Sequence, residues 1–94
     1  MATGIGTATI DFGAAPGSST TELTVTGQTA ISATDYVEIW MQGDSTADHN
    51  AYEHLIAPIL LRASDIVAGT SFKINAFSEH RLTGTFKVRW IWSS

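Results

Sequence analysis

The chain is expected to fold as a small all-β domain, an antiparallel β-sandwich of jelly-roll-like form with about six to eight short strands and one long loop. Three observations lead there. Phe86, Val88, Trp90 and Trp92 alternate with Thr85, Lys87, Arg89 and Ile91, the period of two that a sheet with one buried face requires. Further short runs alternate in the same way between clusters of Gly, Pro, Ser and Asp, which are turn formers. The chain has 94 residues and no cysteine, so it holds one core and no disulfide staple. A β domain of that size gains its stability from packing or from oligomerisation.

Residues 1–6 (Met-Ala-Thr-Gly-Ile-Gly) are small and punctuated by glycine, and read as a flexible arm ahead of a single domain over 7–94. A first strand follows over Thr7–Phe12, with Ala8, Ile10 and Phe12 facing inward. Gly13–Ser19 is a turn cluster in which Pro16-Gly17 fits the corner of a type II turn. Thr20–Thr26 is a second strand with Leu23 and Val25 on one face. Thr34–Met41 is a third, with Val37, Ile39 and Met41 as its core face and Tyr36, Glu38 and Trp40 on the other. Gln42–Asn50 is polar and reads as a long loop. Ala51–Ala63 fits either one strand bent at Pro58 or a short helix running into a strand; proline is disfavoured in a central strand, so a bend or sheet edge at Pro58 is the reading adopted. Ser64-Asp65 begins another turn. Thr70–Phe77 alternates, with Phe72, Ile74 and Ala76 on one side. Ser78–Thr83 reads as a polar hairpin connection into the last strand. That strand places two of the three tryptophans on its inward face, so it must be docked.

Charge excludes some functions. The formal net charge is −4 with five Lys and Arg, too few and too scattered for the basic stripe that nucleic-acid binding needs. No stretch approaches the length of an apolar membrane span, and no charged segment followed by an apolar run comes after Met1. A soluble protein made in the cytoplasm, with neither nucleic-acid nor membrane partner, is expected. Charged residues make up 15% of the chain, with Thr, Ser, Gly and Ala in their usual places. Such a surface is cheap to desolvate and suits contact with other copies or other proteins. Equally, Thr is a good residue for the solvent side of a strand.

One segment gathers groups able to carry chemistry. Asp44, Asp48, His49, Glu53 and His54 lie within eleven residues, and on a helix His49 and Glu53 would share a face at i and i+4. As a loop, the same residues are candidates for holding Zn²⁺ or Ca²⁺. The spacing His-x-x-x-Glu-His matches neither zinc-protease motif, and no Gly-x-Ser-x-Gly elbow or phosphate-cradling glycine loop is present. A structural or contact loop is therefore the reading adopted, with no catalytic residue and no cofactor assigned. Among the aromatics, Trp40 with Tyr36 and Glu38 forms the candidate interface, and Ile5 in the arm joins them.

The stretches Ile10–Ser18, Val25–Thr29, Val37–Trp40, Thr46–His49, Glu53-His54, Ile66–Ile74 and Val88–Trp92 together resemble a group of small tailed-bacteriophage proteins encoded among virion structural genes. Ser71 stands where that group commonly has a second glycine, which affects the local turn. The resemblance implies a virion subunit made in the host cytoplasm. Its form would be a capsid decoration (cement) protein on the major capsid protein or, alternatively, a tail or fibre component with a glycan-binding tip. Decoration proteins sit at local three-fold positions, so a homotrimer is the expected state.

Overall fold

The structure, a computed structural model, describes residues 3–41 and 43–93. Met1 and Ala2 of the expected arm, Gln42 of the expected loop and Ser94 lie outside them. Six strands and one helix follow in the order β1 (Thr3–Asp11), β2 (Ser18–Val25), β3 (Tyr36–Met41), α1 (Ala51–Ile56), β4 (Ile59–Val67), β5 (Ser71–Leu82) and β6 (Thr85–Ser93). They build two three-stranded antiparallel sheets, ordered β1-β6-β3 and β2-β5-β4. Among the described residues the regular structure is all β apart from α1.

The strand with the strongest alternation takes the most demanding place. β6 is the middle of its sheet, and Phe86, Val88, Trp90 and Trp92 are all buried while the residues between them are half-buried. Phe72, Ile74 and Ala76 do the same for β5, the middle of the other sheet. The inward side chains of the two middle strands meet in one core that also holds Ile10, Phe12 and Ile31. Aromatic edges set its packing: Phe72 stands against Trp90 at 5.2 Å and 73°, and Phe12 against Phe86 at 5.9 Å and 85°. The Trp92 indole N–H donates to Gln28 Oε1 at 2.9 Å, whereas that of Trp90 is buried among the described residues without an acceptor.

The arm expected over 1–6 is replaced, from Thr3 onward, by β1 itself. Its register runs unbroken from Thr3↔Ser93 to Asp11↔Thr85. Gly4 lies opposite Trp92 and Gly6 opposite Trp90, and a Cβ on either glycine would overlap the facing indole. The glycines are thus the space into which two indoles lie across an edge strand, and not a sign of slack chain.

Three other local expectations are corrected, at Pro16-Gly17, at Ser64-Asp65 and at the end of β5, while the loop over 43–50 stands. The turn at Pro16-Gly17 is closed by the Gly17 N–H donating to the Ala14 carbonyl at 2.8 Å, with a cis bond before Pro16, so the pair does not form a type II corner. Part of the Gln42–Asn50 loop leads into α1, whose capping box joins Asn50 and Glu53: each side chain accepts from the other's backbone N–H. Of the two alternatives for Ala51–Ala63, the helix running into a strand is the one found. Ser64-Asp65 lies within β4 and is not a turn between elements: Ser64 pairs with Lys73, and the register slips at Asp65-Ile66, with Asp65 at a positive φ of 52°. Finally, β5 runs on to Leu82 through the polar residues read as a connection. Its register with β2 slips between Thr20↔Phe77 and Ser18↔Leu82, leaving Ser78–Arg81 opposite Ser19 alone.

Candidate functional site

The segment from Asp44 to His54 packs over the connection between β5 and β6 and over the first half of β6. Thr46 Oγ1 donates to the Thr85 carbonyl at 2.8 Å. The Asp48 carboxylate accepts from the Thr85 N–H at 2.9 Å and from its hydroxyl at 2.7 Å. Those two bonds, the hydroxyl first, hold the Asp48 carboxyl below the ordinary carboxylate range. Gly84 makes this seat possible: its φ of 76° is costly for other residues, and a Cβ there would press on Asp48.

His49 lies flat on Phe86, with ring centroids 3.9 Å apart and planes 12° from parallel. Its Nε2 is 2.6 Å from the Thr83 carbonyl and its Nδ1 is 3.0 Å from Glu53 Oε2. A carbonyl and a carboxylate can only accept, so both ring nitrogens are satisfied only when both carry protons. Burial of the ring, the largest single influence, pulls its pKa down. The bonds to Glu53 and Thr83 and the charges of Glu53 and Asp48 outweigh it, and the net shift is upward from 6.5. Glu53, held first by the Asn50 N–H and then by His49, is shifted downward. The imidazolium over the Phe86 face is also a favourable cation–π geometry.

His54 does a different job. It is 1% exposed. The Lys87 N–H donates to its Nε2 at 2.9 Å, so its Nδ1 carries the proton and donates to the Asn50 carbonyl at 2.9 Å. The ring bridges the start of α1 to β6. Asp44 faces Arg89 instead, with Oδ2 at 3.2 Å from Nε and Oδ1 at 3.4 Å from an Nη. The five candidates therefore split into separate attachments. Among the described residues no three His, Asp or Glu side chains are placed to share a metal ion. What the arrangement does chemically is fasten a loop and a short helix to β6 and to the connection that precedes it. The i, i+4 relation of His49 and Glu53 holds as expected, although His49 precedes the helix cap.

Families of described proteins, curated proteins and solved structures were compared with the chain. None matches.

The interface candidates all lie on the outer face of the β1-β6-β3 sheet. Tyr36 and Ile5 are 76% and 73% exposed, Glu38 is exposed, and Trp40 is half-buried. Cross-strand rows join Ile5 to Ile91 and Glu38, and Thr7 to Arg89 and Trp40. Val37–Trp40 also borders an opening between β3 and β4, with Leu61–Ala63 on its far side. A second apolar surface went unseen in the sequence. Tyr52, Leu55 and Ile56 project from α1, and Leu60 and Phe77 are cross-strand neighbours on the outer face of the other sheet. Pro58 borders depressions shared with Ile56 on one side and with Leu60 and Phe77 on the other. The signal was present in Tyr52, Leu55 and Ile56 at i, i+3 and i+4, but that spacing is the same whether a helix face is buried or bare. No helix among the described residues is long and apolar enough to cross a membrane.

Proposed function

We propose that the protein is a non-enzymatic structural subunit that binds a larger protein surface, and that its two sheets constitute a compact β-sandwich serving as the rigid body for that contact. The observation that carries this reading is the exposed apolar surface from α1 to β5, where Ile56, Leu60 and Phe77 are 61%, 50% and 42% exposed. Large apolar side chains grouped at one surface mark a contact site. The polar groups that would suggest chemistry are engaged in holding the fold, which agrees with a binding role. The resemblance to small tailed-phage proteins makes a virion the natural setting, and capsid decoration on the outer head surface the specific form. The partner is then the major capsid protein, and the chain would be made in the host cytoplasm and carried in the particle.

A tail or fibre component is the second reading. The half-buried Trp40 beside Glu38 and Arg62, at the opening between β3 and β4, is what favours it, since an aromatic flanked by charged groups suits a sugar ring. Particles purified from cells that express the gene decide between these. Decoration predicts the chain in near-stoichiometric ratio to the capsid protein by mass spectrometry, lost from heads when Leu60→Asp and Phe77→Asp are combined. Presence only in tails supports the second reading, and absence from particles overturns both.

A further inference from the structure

Four strands lie at sheet edges, and three of them carry features that discourage pairing with another chain. The register of β2 slips at Ser18/Thr20 and that of β4 at Ser64/Val67. Such irregularities disrupt a free edge. β3 is regular but carries Glu38 in its middle, and β2 and β4 carry Glu22, Arg62 and Asp65. β1 has no slip, and its one charged residue, Asp11, is its last. It pairs without a slip over its whole length, holds no charged residue from Thr3 to Ile10, and presents Ile5 73% exposed. Among the described residues, no backbone hydrogen bond reaches Thr3–Ile10 from the side away from β6.

We propose that the free edge of β1 is a two-fold seam at which a second copy of this chain adds its own β1, antiparallel, to make one six-stranded sheet. The occupant follows from charge and symmetry. A two-fold axis sets a strand against itself, so any charge near the centre meets its own copy, and like charges directly opposite are destabilising. Of the four edges only β1 is free of that penalty. A register centred on Gly6 pairs Thr3 with Thr9 and Ile5 with Thr7, and it extends the outer row that already joins Ile5 to Ile91. A ring of three through β1 and a neighbour's β3 is less well matched. Both strands are antiparallel to β6 and hence parallel to each other, so with strands along the ring axis they would meet in the less stable parallel pairing. The seam thus gives two copies where the phage resemblance implies three. It does not rest on the virion reading.

Sedimentation velocity and light scattering on the purified chain test it. The wild type should be a dimer at micromolar concentration. Ile5→Lys combined with Thr7→Lys, both at solvent-facing positions, would set the new lysines opposite one another across the axis. That variant should raise the dissociation constant by about tenfold or more, because the clash occurs twice. Near-ultraviolet circular dichroism of Trp90 and Trp92, which pack on β1, should stay unchanged and so show that the strand is still seated. Glu38→Lys on β3 should leave the dimer intact. A monomeric wild type, a trimer, or a dimer that survives the double lysine variant, whatever Glu38→Lys does, would each overturn the proposal.

Discussion

His49 is where a single side chain ties pH to the fold. Its two acceptor-only partners require the doubly protonated ring, and its pKa lies above the ordinary 6.5. A group raised in this way contributes fully below its unfolded value and loses that contribution as pH rises through the higher folded value. Glu53 and Asp48 are shifted the other way, so their contributions are complete above about 4.5 and fade as pH falls through their lowered values. Thermal stability should accordingly be greatest between about pH 4.5 and 6.5, and His49→Gln should flatten the decline on the alkaline side. An NMR titration of the His49 ring with a midpoint at or below 6.5 would refute the doubly protonated geometry. The residue types of this cluster were evident in the sequence, as was the His49–Glu53 spacing. Their separate partners were not, because Thr83, Thr85, Lys87 and Arg89 lie more than thirty residues away along the chain.

β1 and β6 together show what alternation reveals and what it hides. Inward positions of both strands follow from the period of two, and each was placed on the correct face. The extent of β1 was hidden because Gly4 and Gly6 have no side chain to alternate. Their role depends on Trp92 and Trp90, which lie opposite in space and far off in sequence. Substituting either glycine by alanine should therefore destabilise the protein by about 1–3 kcal/mol through overpacking, since the indoles sit in a filled core and cannot swing aside freely. Urea denaturation of Gly6→Ala, compared with Ala8→Gly as a control for backbone freedom, measures it. Unchanged stability for Gly6→Ala would mean that the indole is not held there. β5 was read too short for the opposite reason. Glu79, His80 and Arg81 are exposed, and their polar character masks a strand that the backbone continues.

At the scale of the whole molecule, β6 is the partner of both other strands in its sheet, and removing it leaves β1 and β3 without any hydrogen-bonded neighbour. Deleting Arg89 to the end of the chain removes Trp90 and Trp92, each costing about 3–5 kcal/mol when truncated in a core. A chain of this length has a total stability of about 5–14 kcal/mol. The truncated protein should be insoluble or unfolded, and a cooperative melt with native near-ultraviolet dichroism would refute that. The division into two antiparallel sheets was only partly foreseeable: strand number and polarity follow from patterning, but strand order depends on which edges meet.

The middle strands of the two sheets are neighbours in sequence, joined only by Thr83 and Gly84. None of β1 to β4 pairs with another of the four; each waits for β5 or β6. Every one of these four strands is therefore made before its ladder partner. The β2-β5-β4 sheet can form once β5 is made and the β1-β6-β3 sheet only with β6, so each sheet closes on its middle strand. Such non-local closure is slow. Until then the apolar strands are unpaired, and Glu22, Glu38, Arg62 and Asp65 on β2, β3 and β4 are charges of the kind that discourage pairing with other chains.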